Sequence, residues 1–188
     1  MQKTIVSVFI IIVALFLAAP VLAQDDMAKK LNDELSKGPE EGHWWVSAEE
    51  LSMWLKTGKT DFMVLDVRPS ETAFKKGHIP GAIFMPYHKV LAPENLAKLP
   101  KDKKIVLVCN TGQLQSLPVL GLRVLGYDAA TLSLGYIAWQ KDSFGSQQVK
   151  SVSEKAAKKN YPMQSAAIEK TAKMNSPIQS ESLSCKED

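Results

Sequence analysis

The middle of this chain alternates between two hydrophobic patterns. Short, unbroken apolar runs appear in "DFMVLDVRP", "KKIVLVC" and "AATLSL", each bounded by charged or turn-forming residues. Apolar on both faces, such runs read as strands buried inside a parallel sheet rather than as half-exposed strands. Between them the apolar residues recur at helical spacing. In "HWWVSAEELSMWLKTG", Trp44 to Val46 predicts a short first strand, and Ser47 with Glu50 three residues on forms a capping box. Leu51, Trp54 and Leu55 then make one apolar face, which Gly58 ends. "SETAFKKG" is a short helix opened by Ser70, and "HIPGAIFMP" is a turn followed by a strand. "YHKVLAPENLAKLP" is loosely helical and interrupted by Pro93. "SLPVLGLRVLGYD" places Leu117, Leu120, Val124 and Leu125 on one side, with Pro118 near the start and Gly126 at the end. "GYIAWQKD" closes the series as a helix. The strand–helix alternation over residues 44–141 predicts an α/β fold: an open, mostly parallel sheet of about five strands with helices on both faces.

The flanks follow other patterns. In "DDMAKKLNDELSKG", Met27, Leu31 and Leu35 share a helical face and Gly38-Pro39 stops it, so residues 24–43 read as a lead-in helix. Residues 142–188 are rich in Ser, Lys, Gln and Ala and poor in large apolar side chains. They are expected to form a polar, flexible tail, with at most a transient helix at "VSEKAAKKN". Residues 1–23 begin with one positive charge, Lys3, followed by an apolar run from Val8 to Ala19 and the helix-breaking Pro20. Val21 and Ala23 stand where a signal peptidase reads small residues, which predicts a secretory signal cleaved after Ala23. Export to a periplasm or beyond follows, with no stable membrane span after cleavage. The alternative is an uncleaved anchor over Ile5 to Ala23.

Composition narrows the function. The chain has 188 residues, 23% of them charged, and a formal net charge of +3. The basic residues are dispersed, so no nucleic-acid partner is expected. Two cysteines, Cys109 and Cys185, make no disulfide framework. His43, His78 and His88 have no metal-ligand spacing, so no metal and no cofactor are expected. Trp44 and Trp45 are expected to pack rather than to bind.

The candidate chemistry lies in "IVLVCNTGQLQS". In open α/β sheets, ligands bind beyond the carboxyl ends of the strands. Cys109 sits at such an end, and a polar loop with one glycine then runs into a helix N-terminus. Backbone N–H groups of the loop can curl round the sulfur, and the helix dipole adds partial positive charge. Both favour the thiolate, which is the nucleophilic form. Gly112 lets the loop adopt a conformation costly for other residues. The alternative is a buried, inert cysteine.

"VLDVRPSETAFKKGHIPGA", "IVLVCNTG" and "LGYDAATLSLGYIAW" together resemble the single-domain rhodanese sulfurtransferases, over about residues 44–141. The resemblance implies a five-stranded α/β sheet and transfer of sulfane sulfur through a cysteine persulfide. Cys109 would be the nucleophile and persulfide carrier. The backbone amides of Asn110, Thr111, Gly112, Gln113, Leu114 and Gln115 would cradle the outer sulfur and the substrate. Asp66 and Arg68 of the "DVR" motif, and Ser116, would brace the site. "GHIPGA" (Gly77 to Ala82) would shape a turn, which leaves His78 no role as a base.

Many family members read Cys-Arg-x-Gly-x-Arg-Ser here. This chain has Asn110 and Leu114 at the arginine positions, and Ser116 one position later than the usual serine. It is more similar to a subgroup reading Cys-x-Thr-Gly-His-Thr-x-Ser. A loop without cations binds a dianion poorly, so a polysulfide or persulfide suits it better than thiosulfate. The acceptor would be a thiol, cyanide or a redox protein. The related Cys-x5-Arg phosphatases need an arginine where this chain has Gln115, which argues against phosphatase or arsenate reductase activity. A second reading is a non-catalytic persulfide carrier or binding module. In a third, Cys185 resolves an oxidised Cys109; its alternative is a stray tail cysteine.

Overall fold

A computed structural model describes residues 25–159. Five strands form one sheet: β1 (Trp45–Val46), β2 (Phe62–Asp66), β3 (Ile83–Phe84), β4 (Lys104–Val108) and β5 (Ala129–Leu132). Their order is β1-β5-β4-β2-β3, and every neighbouring pair is parallel. The central strands β2 and β4 run in register from Phe62 opposite Lys104 to Asp66 opposite Val108. Their carboxyl ends therefore finish side by side, with Cys109 as the next residue.

Alternation along β4 divides the core in two. Ile105, Leu107 and Cys109 join Leu65, Val119, Leu122 and Ala129 on one face. Val106 and Val108 join Val64, Leu51, Leu132 and Tyr136 on the other. Burial on both faces explains the unbroken apolar runs.

The helices are α1 (residues 25–35), α2 (Ala48–Lys56), α3 (Glu71–Lys76), α4 (Pro93–Leu96), α5 (Ser116–Val124), α6 (Tyr136–Trp139) and α7 (Phe144–Lys159). Ser47 caps α2 by accepting from the Glu50 N–H at 3.0 Å, and Ser70 caps α3 by accepting from Ala73 N–H at 3.2 Å. The Pro93 region differs from expectation: Tyr87–Lys89 is a 3₁₀ turn, and Pro93 begins α4 rather than interrupting a helix. At a first helical position the missing N–H costs nothing.

Two further differences come from tertiary contacts. The first strand is Trp45–Val46 alone, because Gly42, His43 and Trp44 all take positive φ. Trp44 lies against the Arg123 guanidinium, whereas Trp45 stays exposed beside His43. On α1, Met27 and Leu35 of the expected apolar face are exposed. The helix is held instead through Glu34, which accepts from Arg123 Nε at 2.9 Å. Arg123 also pairs with Glu41 and donates to the Ala129 carbonyl at 3.1 Å.

The expected polar tail from residue 142 begins as the helix α7, whose start Ser143 caps by accepting from Ser146 N–H at 3.1 Å. Contacts divide the chain into one unit through Lys150 and a second from Ser151, whose described part is helical through residue 159. The expected signal segment 1–23 and Cys185 lie outside the described residues. No helix among the described residues is long and apolar enough to cross a membrane.

Candidate active site around Cys109

Cys109 leaves β4 on the face that carries α5, with 0% of its surface exposed. The six residues after it carry the chain from strand to helix. Gly112 takes φ +89 there, a conformation that a side chain makes costly. A methyl group at Gly112 would also press on the Leu134 backbone at 3.3 Å.

Four hydrogen bonds fix the loop. The Gln115 side chain is 1% exposed and bridges two strand ends. Its Oε1 accepts from Cys109 N–H at 2.8 Å, and its Nε2 donates to the Leu132 carbonyl at 2.5 Å. The Cys109 carbonyl accepts from Tyr136 N–H at 2.9 Å. Ser116 Oγ donates to the Gln113 carbonyl at 2.6 Å, closing the last turn before α5. Two glycines permit close approach: any side chain at Gly135 would overlap the Cys109 carbonyl oxygen, and any at Gly145 would overlap that of Asn110.

The loop from Asn110 to Gln115 runs from Cys109 into the N-terminal end of α5. The backbone donors of this loop thus follow the sulfur-bearing residue directly in the chain, at a strand end. Such an arrangement receives anionic sulfur or oxygen without a cationic side chain.

Asp66 and Arg68 form a second cluster at the adjacent end of β2. Arg68 Nε and Nη2 grip the Asp66 carboxylate at 3.0 and 2.6 Å. Arg68 Nη2 also donates to the Gly77 carbonyl at 2.8 Å, and its guanidinium lies 4.2 Å from the Tyr136 ring centroid. Tyr136 Oη donates to Asp66 Oδ2 at 3.1 Å and accepts from Ile79 N–H at 3.0 Å. Burial, reinforced by the Asp66 charge, pushes the Tyr136 phenol up to about 12. The "DVR" and "GHIPGA" segments are thus tied to α6, whose first backbone N–H holds the Cys109 carbonyl. Sequence reasoning missed Tyr136; its apolar context, "GYIAW", gave no sign of a polar hub. His78 Nδ1 contacts the Phe74 carbonyl at 2.9 Å and its ring stacks on Phe74. Among the described residues, no group of three or more His, Cys, Asp or Glu side chains could hold a metal.

The family model of the Rhodanese-like domain matches residues 47–142, half of the chain. The chain belongs to the rhodanese-like family. The match ends just before α7, so the helix that packs on Asn110 lies beyond the family match. This rhodanese-like domain is 34% identical over 97 residues to the "Probable adenylyltransferase/sulfurtransferase MoeZ" of Mycobacterium tuberculosis. That similarity covers 51% of this chain and 24% of the relative, so the chain spans about a quarter of the length of the first curated relatives it matches. It is 33% identical over 98 residues to a protein named "Sulfurtransferase" from Allochromatium vinosum, covering 51% of this chain and 87% of that one. Among solved structures, the rhodanese-like domain protein of Staphylococcus aureus is 26% identical with a TM-score of 0.46, covering 52% of this chain and 92% of that one.

Proposed function

We propose that this protein is an exported sulfurtransferase that carries sulfane sulfur as a persulfide on Cys109. The observation that carries the reading is Cys109 at the carboxyl end of β4, followed by a loop that holds Gly112 at φ +89 and opens α5. The similarity to proteins named as sulfurtransferases supports the same class of chemistry.

In the proposed cycle the Cys109 thiolate attacks the sulfane sulfur of a polysulfide or persulfide donor. A new S–S bond forms, the donor's S–S bond breaks, and its remainder leaves as a thiolate or hydrosulfide anion. Backbone N–H groups of the loop receive the terminal persulfide anion. An acceptor thiolate or cyanide then attacks the outer sulfur, the Cys109–sulfur bond breaks and the Cys109 thiolate returns. No oxidant is consumed. The loop's lack of cations supports a singly charged persulfide or organic polysulfide as donor over dianionic thiosulfate. Export rests on the sequence of residues 1–23.

Mass spectrometry of the purified protein after incubation with polysulfide tests the reading. A gain of one sulfur on Cys109, discharged with turnover by cyanide or thiol and absent in Cys109→Ala, is the expected result. No gain of sulfur, or a strong kinetic preference for thiosulfate, refutes the corresponding part. A second reading, a persulfide carrier that does not turn over, draws on the complete burial of Cys109; stable loading without discharge by small acceptors would favour it.

A further inference from the structure

At the end of the sheet opposite β1, the edge strand β3 is only two residues long. Two hollows open along this edge, between β3 and the segment from Asn95 to Lys103. Their volumes are about 330 Å³ and about 420 Å³, each of the size that small ligands occupy. Met63, Ile83, Lys98 and Leu99 line both, so the two share a wall and make one groove. No residue beyond Lys103 lines either hollow, which keeps the groove apart from the Cys109 loop.

The floor is apolar. Met85 and Leu99 are buried members of the core beneath it, Met63 packs against that core, and Ile83 remains 48% exposed. Methionine is flexible and polarisable, so Met63 and Met85 can adjust to the outline of an apolar guest. The charged lining has one sign. Lys89 and Lys98 line the first hollow, Lys98 and Lys103 the second, and no Asp or Glu lines either. Glu94 and Asp102 are chain neighbours of lining residues but do not line the groove themselves. Among the described residues, none of these three lysines forms an ion pair, whereas Lys59 and Lys104 on the flanks pair with Asp61 and Asp128. Lys98 Nζ donates to Asn95 Oδ1 at 2.9 Å, and Asn95 Nδ2 donates to the Lys89 carbonyl at 2.9 Å, so the Lys98 head is tied to the groove wall. Lys103 is half-buried with no carboxylate beside it.

A bare inorganic anion would leave the floor wet, and a neutral hydrocarbon would leave the cations unmatched. A peptide added as a strand needs a longer edge than the two residues of β3. The geometry points to a binding site for an acyl carboxylate. Its chain lies on Met63, Ile83, Met85 and Leu99, and Lys98, common to both hollows, receives its carboxylate. This site is independent of the sulfur chemistry at Cys109.

Isothermal titration calorimetry of the purified protein with hexanoate, octanoate and decanoate tests the inference. Saturable binding at one site is expected, with Kd falling about three- to fourfold for each added methylene, as burial of that group predicts. Decyltrimethylammonium, which carries a chain of the same length and the opposite charge, should bind at least about tenfold more weakly than decanoate, and Lys98→Glu should weaken decanoate by a similar factor. Lys98 is exposed, so this variant keeps the fold. In protein labelled with carbon-13 at the methionine methyl groups, the Met63 and Met85 signals, identified from Met63→Leu and Met85→Leu, should shift on binding. Met53, on α2 and outside the groove, should not. The absence of saturable binding by all three carboxylates overturns the inference. So do equal affinities for decanoate and decyltrimethylammonium, unmoved Met63 and Met85 signals, or wild-type affinity in Lys98→Glu. A peptide alternating glutamate and leucine that binds more tightly than decanoate overturns the ligand class.

Discussion

Gln115 takes the place that the Cys-x5-Arg enzymes give to a phosphate-gripping arginine, and here its side chain ties the end of β4 to the end of β5. Gln115→Ala removes both bonds at once. The Cys109 N–H loses its side-chain acceptor in a site that is 1% exposed, while the Leu132 carbonyl loses the Gln115 donor but keeps Gly135 N–H at 2.9 Å. Each buried group left unsatisfied costs about 1–3 kcal/mol. One unsatisfied donor at about 1–3 kcal/mol and one lost hydrogen bond at about 1 kcal/mol place the expected loss at about 2–4 kcal/mol. Urea unfolding followed by tryptophan fluorescence measures it directly. Gln113→Ala, two residues away and exposed, serves as the control and should stay within about 0.5 kcal/mol of wild type.

Gln115→Glu sharpens the test. Ionised, the introduced carboxylate can accept from Cys109 N–H but offers no donor to the Leu132 carbonyl. Protonated, it offers both. Its folded-state pKa should therefore rise above the ordinary glutamate value of about 4.3. Protonation then favours the folded state, so the deficit relative to wild type is largest above that raised pKa and shrinks as pH falls through it. The deficit of Gln115→Ala has no such dependence. The reasoning is refuted if Gln115→Ala stays within about 1 kcal/mol of wild type, or if the deficit of Gln115→Glu is the same at pH 5 and pH 8.

Tyr136→Phe removes the donor to Asp66 and the acceptor of Ile79 N–H, and should cost about 1–3 kcal/mol by urea unfolding. Because the folded phenol pKa is raised to about 12, the stability this shift contributes is present below the unfolded value of about 10 and is lost as pH rises toward 12. Absorbance at 295 nm should show Tyr136 ionising later than an ordinary tyrosine. Hydrogen bonding by Lys37, opposed by desolvation and aided by Arg123, lowers the Glu34 pKa, so its contribution is present above the ordinary carboxylate range and lost as pH falls through the lowered value. In Arg123→Ala, limited proteolysis should cut residues 25–44 faster than in wild type; equal rates would show that the ion pair does not hold this segment. Gly135→Ala should fail to yield soluble, folded protein, because its methyl group overlaps the Cys109 carbonyl at a backbone of φ +55, ψ −138; a folded Gly135→Ala protein with wild-type Tm would refute the close approach.

How much the chain announces in advance depends on the range of the interaction. The apolar runs at Phe62–Asp66 and Lys104–Val108, the caps at Ser47 and Ser70, and the glycine at 112 are local signals. Each acts through hydrogen bonds or burial tied to its own segment, so the sequence alone determined the α/β alternation, the parallel sheet and the position of Cys109 at a strand end. The tertiary structure decided which groups meet there. The sequence places Gln115 among the loop residues whose backbone amides would cradle the outer sulfur; only the fold brings its side-chain amide to Leu132, seventeen positions on. Tyr136 reaches Asp66 across seventy positions, and Arg123 reaches Glu34 across eighty-nine. The first of α7's contacts to the loop is likewise invisible locally, since Gly145 in a polar stretch reads as a helix breaker until the Asn110 carbonyl occupies the space its side chain would fill. Periodicity records what a residue does to its own segment; partners brought close by chain folding leave no spacing to read.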